Sequence, residues 1–212
     1  MSPKQQRGEA TADRVVAAAL DLYAAKGPGG LTMTALIAET GVSSGSLYHH
    51  FGSADGLAAA LYSHCMSELL DTLIAALGRS RTARTGVRAF VEAYLRFAQD
   101  NRPAAHFIHA SSYAAFLPAH AERVAEAKAP RMRRIADWLR PYVEAGHVIA
   151  LPDPLTEMLV IGPVAETTRR WLAGAPDVDL TIAARLLPER IWQSVRGEHA
   201  PPSDTHPSDT HR

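Results

Sequence analysis

The sequence contains one cysteine, Cys65, among 212 residues. No disulfide can close within the chain, which excludes the stapled secreted scaffolds and points to a reducing compartment. Net charge is also missing, because 22 lysines and arginines face 22 aspartates and glutamates. No global positive field draws a polyanion, so any nucleic-acid site must be local. Long apolar runs are absent. Leu155 to Ala165 is the longest apolar-rich stretch, it contains Glu157, and it falls far short of the ~20 residues of a membrane span. Met1 to Gly8 has no apolar segment of the kind a secretory signal needs. No membrane partner is expected, and the expected location is the cytoplasm.

What is present is an ordinary globular balance, 47% apolar and 21% charged, arranged almost everywhere with a helical period and nowhere with sustained strand alternation. The fold class is all-α. Thr11–Lys26 places Val15, Val16, Ala19, Leu20, Leu22 and Tyr23 on one face, and Gly27 to Gly30 stops it. Thr32 is expected to cap Met33–Glu39, which ends at Gly41. Ser43 should cap a third helix to about His50, and Ser53 a fourth to about Leu77. Helix resumes through Asp100 after an arginine-rich connection, 78–88, and Pro103 suits the first turn of another. Further helices are expected at about 119–145, 154–174 and 178–196, broken or kinked at Pro130, Pro141 and Pro163. Three regions follow: 11–71, with the pair of short helices at 32–51, a longer helical region at 72–197, and 198–212 as a disordered tail. The tail repeats Pro-Ser-Asp-Thr-His, which buries too little apolar surface to offset ordering entropy.

Residues 32–51, TMTALIAETGVSSGSLYHHF, carry the chemistry. Two short helices meet at a tight connection at Gly41, and Leu36, Ile37, Val42 and Leu47 can lock them at a fixed angle, as in a helix-turn-helix. The second helix opens on Ser43, Ser44, Gly45 and Ser46. Their small side chains let backbone approach DNA, while hydroxyls and free N–H groups meet phosphates or base edges. Tyr48, His49 and His50 follow, and a histidine beside a phosphate tends to gain a proton.

On these residues the segment 11–62 resembles the DNA-binding domain of the TetR family of transcriptional repressors. The matching positions are Arg14 to Leu20, Gly27, Leu31-Thr32-Met33, Thr40-Gly41-Val42-Ser43, Gly45 to Phe51, and Leu57. The resemblance implies a homodimer on a pseudo-palindromic, double-stranded operator, with helix three in the major groove and a small-molecule effector among the C-terminal helices. It implies that Thr32, Thr34, Tyr48 and His49 hold phosphates and that Ser43, Ser44, Gly45 and Ser46 lie nearest the bases. One departure stands out: Ala54 occupies a position where the family usually has lysine. Residues 1–70 hold four basic residues, Lys4, Arg7, Arg14 and Lys26, against six acidic ones. Counterion release should therefore be small and the salt dependence of binding shallow. Lys4 and Arg7 are expected on a solvated arm.

The resemblance also implies that 11–71 is a helix-turn-helix domain with its motif at 32–51, that 72–197 is an effector-binding and dimerisation domain, and that the last two helices build the dimer interface. Leu180, Ala184, Leu187, Ile191 and Val195 form one stripe of the final helix, and Leu155 and Leu159 lie on an earlier helix that is apolar on several faces, with Gly162 allowing close approach. A pocket is expected among 85–175, lined by Phe90, Tyr94, Phe107, His109, Tyr113, Met132, Trp138 and Met158. Few charges share those faces, so the effector should be largely apolar. No enzyme activity, cofactor or metal is expected. The alternative is an all-α metal-responsive or enzymatic protein with a vestigial helix-turn-helix, resting on His106 and His109 three residues apart. Gly41-Val42-Ser43-Ser44-Gly45 satisfies a nucleophile-elbow pattern, but helix rather than strand precedes it. Arg79, Arg81, Arg84 and Arg88 read as a solvated connection, and Arg131, Arg133 and Arg134 as surface charges or partners of a carboxylate such as Glu126.

Overall fold

The structure, a computed structural model, describes residues 3–111 and 114–200. Among them the helices are α1 (Pro3–Lys26), α2 (Met33–Thr40), α3 (Ser44–Phe51), α4 (Ala54–Gly78), α5 (Ala83–Asp100), α6 (Arg102–Ser111), α7 (Phe116–Ala119), α8 (Ala121–Glu144), α9 (Asp153–Leu172) and α10 (Leu180–Val195), with a 3₁₀ turn at Pro28–Gly30. The chain is all-α, and no described strand is longer than an isolated bridge between Val148 and Arg196.

The first four boundaries follow local chemistry. Thr32 accepts a hydrogen bond from the Ala35 N–H, Ser43 from Ser46, and Ser53 from Gly56, each satisfying an amide that the first helical turn leaves unpaired. Gly41 ends α2 at φ 66°, a left-handed turn that a side chain resists. Thr40 tightens the same corner, its hydroxyl donating to the Leu36 carbonyl at 2.6 Å and accepting from the Val42 N–H at 3.3 Å. Leu36 and Leu47 are fully buried across this corner, with Val42 and Phe51 beside them. Burying each leucine is worth about 1.5–3 kcal/mol, which holds the two helices at one angle.

Several boundaries differ from the sequence expectation. α1 begins at Pro3, so Lys4 and Arg7 belong to a helix rather than an extended arm. α5 begins at Ala83, capped by Thr82 and Thr85 reciprocally, so Arg84 and Arg88 are helical. α8 runs through Pro130 and Pro141, α9 through Pro163 and α10 through Pro188. The first three prolines are exposed, so the carbonyl each leaves unpaired can be hydrated while packing holds the helix on both sides. Residues 198–200, expected in the tail, fold back: the Gly197 N–H donates to His147 and the His199 N–H to Gly146. Residues 201–212 of the expected tail lie outside the described residues.

α4 joins the two halves, passing residue 71 without interruption. The small head, α1 to α3 with the start of α4, is tied to the body at further points. The Tyr23 hydroxyl of α1 meets His106 Nδ1 of α6 at 2.8 Å, and the same ring packs edge-on against Phe107 with centroids 4.9 Å apart. Arg123 of α8 reaches the Gly56 carbonyl at 3.4 Å, and Arg131 of α8 pairs with Asp71 of α4 at 2.8 Å rather than with Glu126.

Candidate nucleic-acid interface

The motif presents one outward edge. Ser44, Gly45, Tyr48 and His49 share a face of α3 and are exposed, whereas Leu47 and Phe51 form the opposite, buried face. Tyr48 is 53% exposed, which no packing requirement explains. His50, next to His49, is half-buried, and its ring lies where a side chain at Gly8 of α1 would touch it. His49 is thus the outward member of the pair. Thr32 and Thr34 are exposed at the start of α2. Ser43 is exposed and Ser46 half-buried, the two joined by the capping bond at 3.2 Å.

This edge suits an anionic, groove-shaped partner. Ser46 N–H is capped by Ser43, and Leu47 N–H bonds to the Ser43 carbonyl, which leaves the Ser44 and Gly45 amides at the positive end of α3. No atom lies within 4 Å of a side chain built at Gly45. The glycine therefore answers no internal contact, and a surface can approach its backbone closely. Thr32 accepts through its oxygen and keeps its hydroxyl proton to donate outward. Nothing of hydrolase type is assembled here: Ser43 sits between two helices and its hydroxyl serves as a cap.

The residues expected to line an effector pocket separate into groups. Phe90, Tyr94 and Phe107 are buried in the core of the body, and the Tyr94 hydroxyl lies 3.4 Å from His109 Nε2. Burial, reinforced by the Arg169 charge, lowers the pKa of His109. Met132 and Trp138 are half-buried on α8, where Trp138 packs on Tyr142 with centroids 4.9 Å apart and fills the notch left by Gly86. Met158 does not join them, being 64% exposed on α9 beside Leu155 and Leu159. Tyr113 lies outside the described residues. His106 and His109 turn to different tyrosines, Tyr23 and Tyr94, so they do not converge on a shared ion. Among the described residues, no three of His, Cys, Asp and Glu group as metal ligands. Cys65 is buried with its thiol pushed up to about 12, chiefly by burial, which keeps it protonated and unreactive.

The residues of the expected dimer stripe divide by burial. Leu180, Ile191 and Val195 are buried within the subunit, with Ala184 and Leu187 half-buried, because this side of α10 packs against α5 and α9. The apolar side chains that face outward are Leu155, Met158 and Leu159 of α9 and Ile182 and Leu186 of α10. Gly162 lies exposed among those of α9, with open space above it. Periodicity found the apolar faces of α10 but could not say which one a neighbour already covers.

A helix-turn-helix with an outward edge of small residues, on an all-α body, is the architecture found in DNA-binding regulators. Comparison with known proteins agrees: residues 15–61 match the model for bacterial regulatory proteins of the tetR family. A TetR family transcription regulator from Marinobacter aquaeolei VT8 shares the fold with a TM-score of 0.67 at 17% identity, over 91% of this chain and 99% of its own. The fatty acid degradation regulator FadR from Bacillus halodurans gives 0.66 at 16% identity, over 87% and 99%. FadR from Bacillus subtilis, solved in complex with stearoyl-CoA, gives 0.67 at 14%, over 86% and 98%. No curated protein matches the sequence. Residues 15–61 thus resemble the DNA-binding segment of tetR-family regulators, and the chain as a whole shares the fold of these solved structures. No described helix is long and apolar enough to cross a membrane.

Proposed function

We propose that the protein is a cytoplasmic, non-enzymatic transcriptional repressor that acts as a homodimer and leaves a pseudo-palindromic operator when a small, largely apolar effector binds. The observation that carries the DNA-binding half is the exposed edge of α3, where Ser44, Gly45, Tyr48 and His49 face outward and Gly45 answers no internal contact. Thr32, Thr34, Tyr48 and His49 hold phosphates, and Ser43 to Ser46 approach the bases. None of these offers the bidentate geometry of arginine or asparagine. Base discrimination therefore relies on close fit and on DNA shape as much as on direct hydrogen bonds.

Dimerisation is supported by the outward apolar set on α9 and α10. Leu155, Met158, Leu159, Ile182 and Leu186 would lie against the same residues of a second copy, since an isologous contact is self-complementary. Two heads on one duplex must sit about 34–36 Å apart, a spacing that only a rigid dimer sets. The buried apolar residues Phe90, Tyr94 and Phe107, with His109 against Tyr94, and the half-buried Met132 and Trp138 of α8 support an apolar effector. The stearoyl-CoA bound by the Bacillus subtilis protein makes a long acyl chain the first ligand class to try. An effector that displaces α6 or α8 reaches the head through Tyr23–His106 and Arg123–Gly56, and it releases DNA to the extent that it prefers the other spacing.

The test is selection from a pool of random duplexes by wild type and Tyr48→Ala at two salt concentrations. The expected result is a two-fold symmetric sequence, lost in the variant, with a shallow salt slope because the head is weakly charged. Failure to enrich any symmetric sequence at either salt would overturn the reading.

A further inference from the structure

A groove of about 470 Å³ lies at the end of the molecule where α4 turns into α5. Its floor is made of small side chains, Ala76 of α4 with Ala89 and Ala93 of α5. Arg79 and Arg81 stand at one end and Arg96 at the other. Thr85, Ala89, Glu92, Ala93 and Arg96 follow one stripe of α5, so the groove runs about 16 Å along that helix. The opposite face of α5 carries Phe90 and Tyr94 into the core. The groove is therefore separate from the apolar cluster assigned to the effector.

Its charge has no internal explanation. Arg84 and Arg131, nearby in sequence or space, are each paired with a carboxylate, to Glu189 and Asp71. Arg79, Arg81 and Arg96 have no ion-pair partner among the described residues. Glu92 is the one carboxylate in the lining, so three guanidinium groups gather around a single acid. Operator DNA does not account for them either. α4 starts at the reading head with Ala54 and ends at Gly78, a length of roughly 37 Å. Arg79 and Arg81 stand just beyond its far end, away from any duplex held by α3, and the groove runs back from there along α5 to Arg96.

We propose that this groove is a second binding site, for a phosphorylated, non-aromatic small molecule. The volume falls within the range of ordinary small-ligand sites, roughly 300–1,000 Å³. Guanidinium groups match phosphate geometry through paired N–H donors. The exposed hydroxyls of Thr82 and Thr85, already a reciprocal cap, edge the same end. No aromatic ring lines the groove, so a nucleobase would find nothing to stack on, and an extended polyphosphate or phosphorylated sugar fits better.

The test is calorimetric titration of the full chain, at physiological salt to screen diffuse attraction, with inorganic phosphate, tripolyphosphate and citrate. Tripolyphosphate should bind saturably and at least tenfold more tightly than phosphate, because it can span several arginines. Arg79→Gln/Arg96→Gln should weaken it at least tenfold, while Arg134→Gln, an exposed arginine on α8, should leave it unchanged. Thermal melts without ligand verify that the variants fold. Absence of saturable binding, equal loss in the Arg134 control, or citrate binding as tightly as tripolyphosphate would each overturn the proposal. Because no arm uses DNA, the outcome is independent of the repressor reading.

Discussion

Gly86 and Trp138 offer a quantitative check on how the body is packed. A side chain built at Gly86 of α5 would sit 2.0 Å from Trp138 Cη2 and 2.4 Å from Cζ2. Carbon atoms in contact stay about 3.5–4.0 Å apart, so the indole would have to retreat by about 1.5 Å, against Tyr142 behind it. Overpacking of this kind costs about 1–3 kcal/mol. Alanine in a helix interior returns about 1 kcal/mol relative to glycine. Gly86→Ala is therefore expected to destabilise by up to about 2 kcal/mol. Removing the ring reverses the sign: in a Trp138→Ala background the clash is gone, and Gly86→Ala should stabilise by about 0.5–1 kcal/mol. The coupling between the two changes is then about 1–3 kcal/mol, the size found for residues in direct contact. Urea denaturation of the four proteins, at one protein concentration so that association is held constant, measures it. In thermal melts each kcal/mol should appear as roughly 2–4 °C for a chain of this size. If Gly86→Ala stabilises the wild type, or shifts both backgrounds equally, the notch does not hold the ring and the α5–α8 packing described above is wrong.

Gly45→Ala should leave stability unchanged or raise it by up to about 1 kcal/mol, since the space above it is open and alanine favours helix. It should weaken operator binding at least tenfold in a gel-shift titration. Leu186→Glu, at a position 61% exposed on α10, should abolish the proposed dimer and leave a folded monomer in sedimentation velocity, whereas association of unchanged strength would place the interface elsewhere. His109 gives a pH signature. Its folded pKa lies below the ordinary 6.5, through burial and the Arg169 charge, so the unfolded chain takes the proton first. Stability should fall as pH drops below 6.5 and level off beneath the folded value. His109→Gln should flatten that slope in urea midpoints compared at about pH 7 and pH 5.5. Glu166, held at about 2 by hydrogen bonds from Arg169 and then Arg170, acts in a different window. Its contribution is lost only as pH falls from 4.5 toward that value, so the two effects separate.

What could be read from the residues alone was whatever is decided within a few positions along the chain. Thr32, Ser43 and Ser53 cap helices because their oxygens meet amides three residues on, and Gly41 ends α2 because the turn demands a left-handed residue. The exposed edge of α3 was legible for the same reason, since a one-turn pattern of small and apolar residues tells which side of α3 is buried. Tertiary structure decided the rest. Proline at 130, 141 and 163 signals a break locally, yet neighbouring helices hold α8 and α9 continuous through it. The stripe of Leu180, Ile191 and Val195 is apolar for a partner, but only the position of α5 and α9 shows that the partner is within the same subunit, leaving Ile182 and Leu186 outward. Arg79, Arg81 and Arg96 lie up to 17 positions apart in the sequence, and only the α4–α5 turn brings them around one groove. Periodicity reports that a face must be covered, because the cost of exposing apolar surface is local. Which neighbour covers it depends on helices distant in sequence, and that is settled only when they pack.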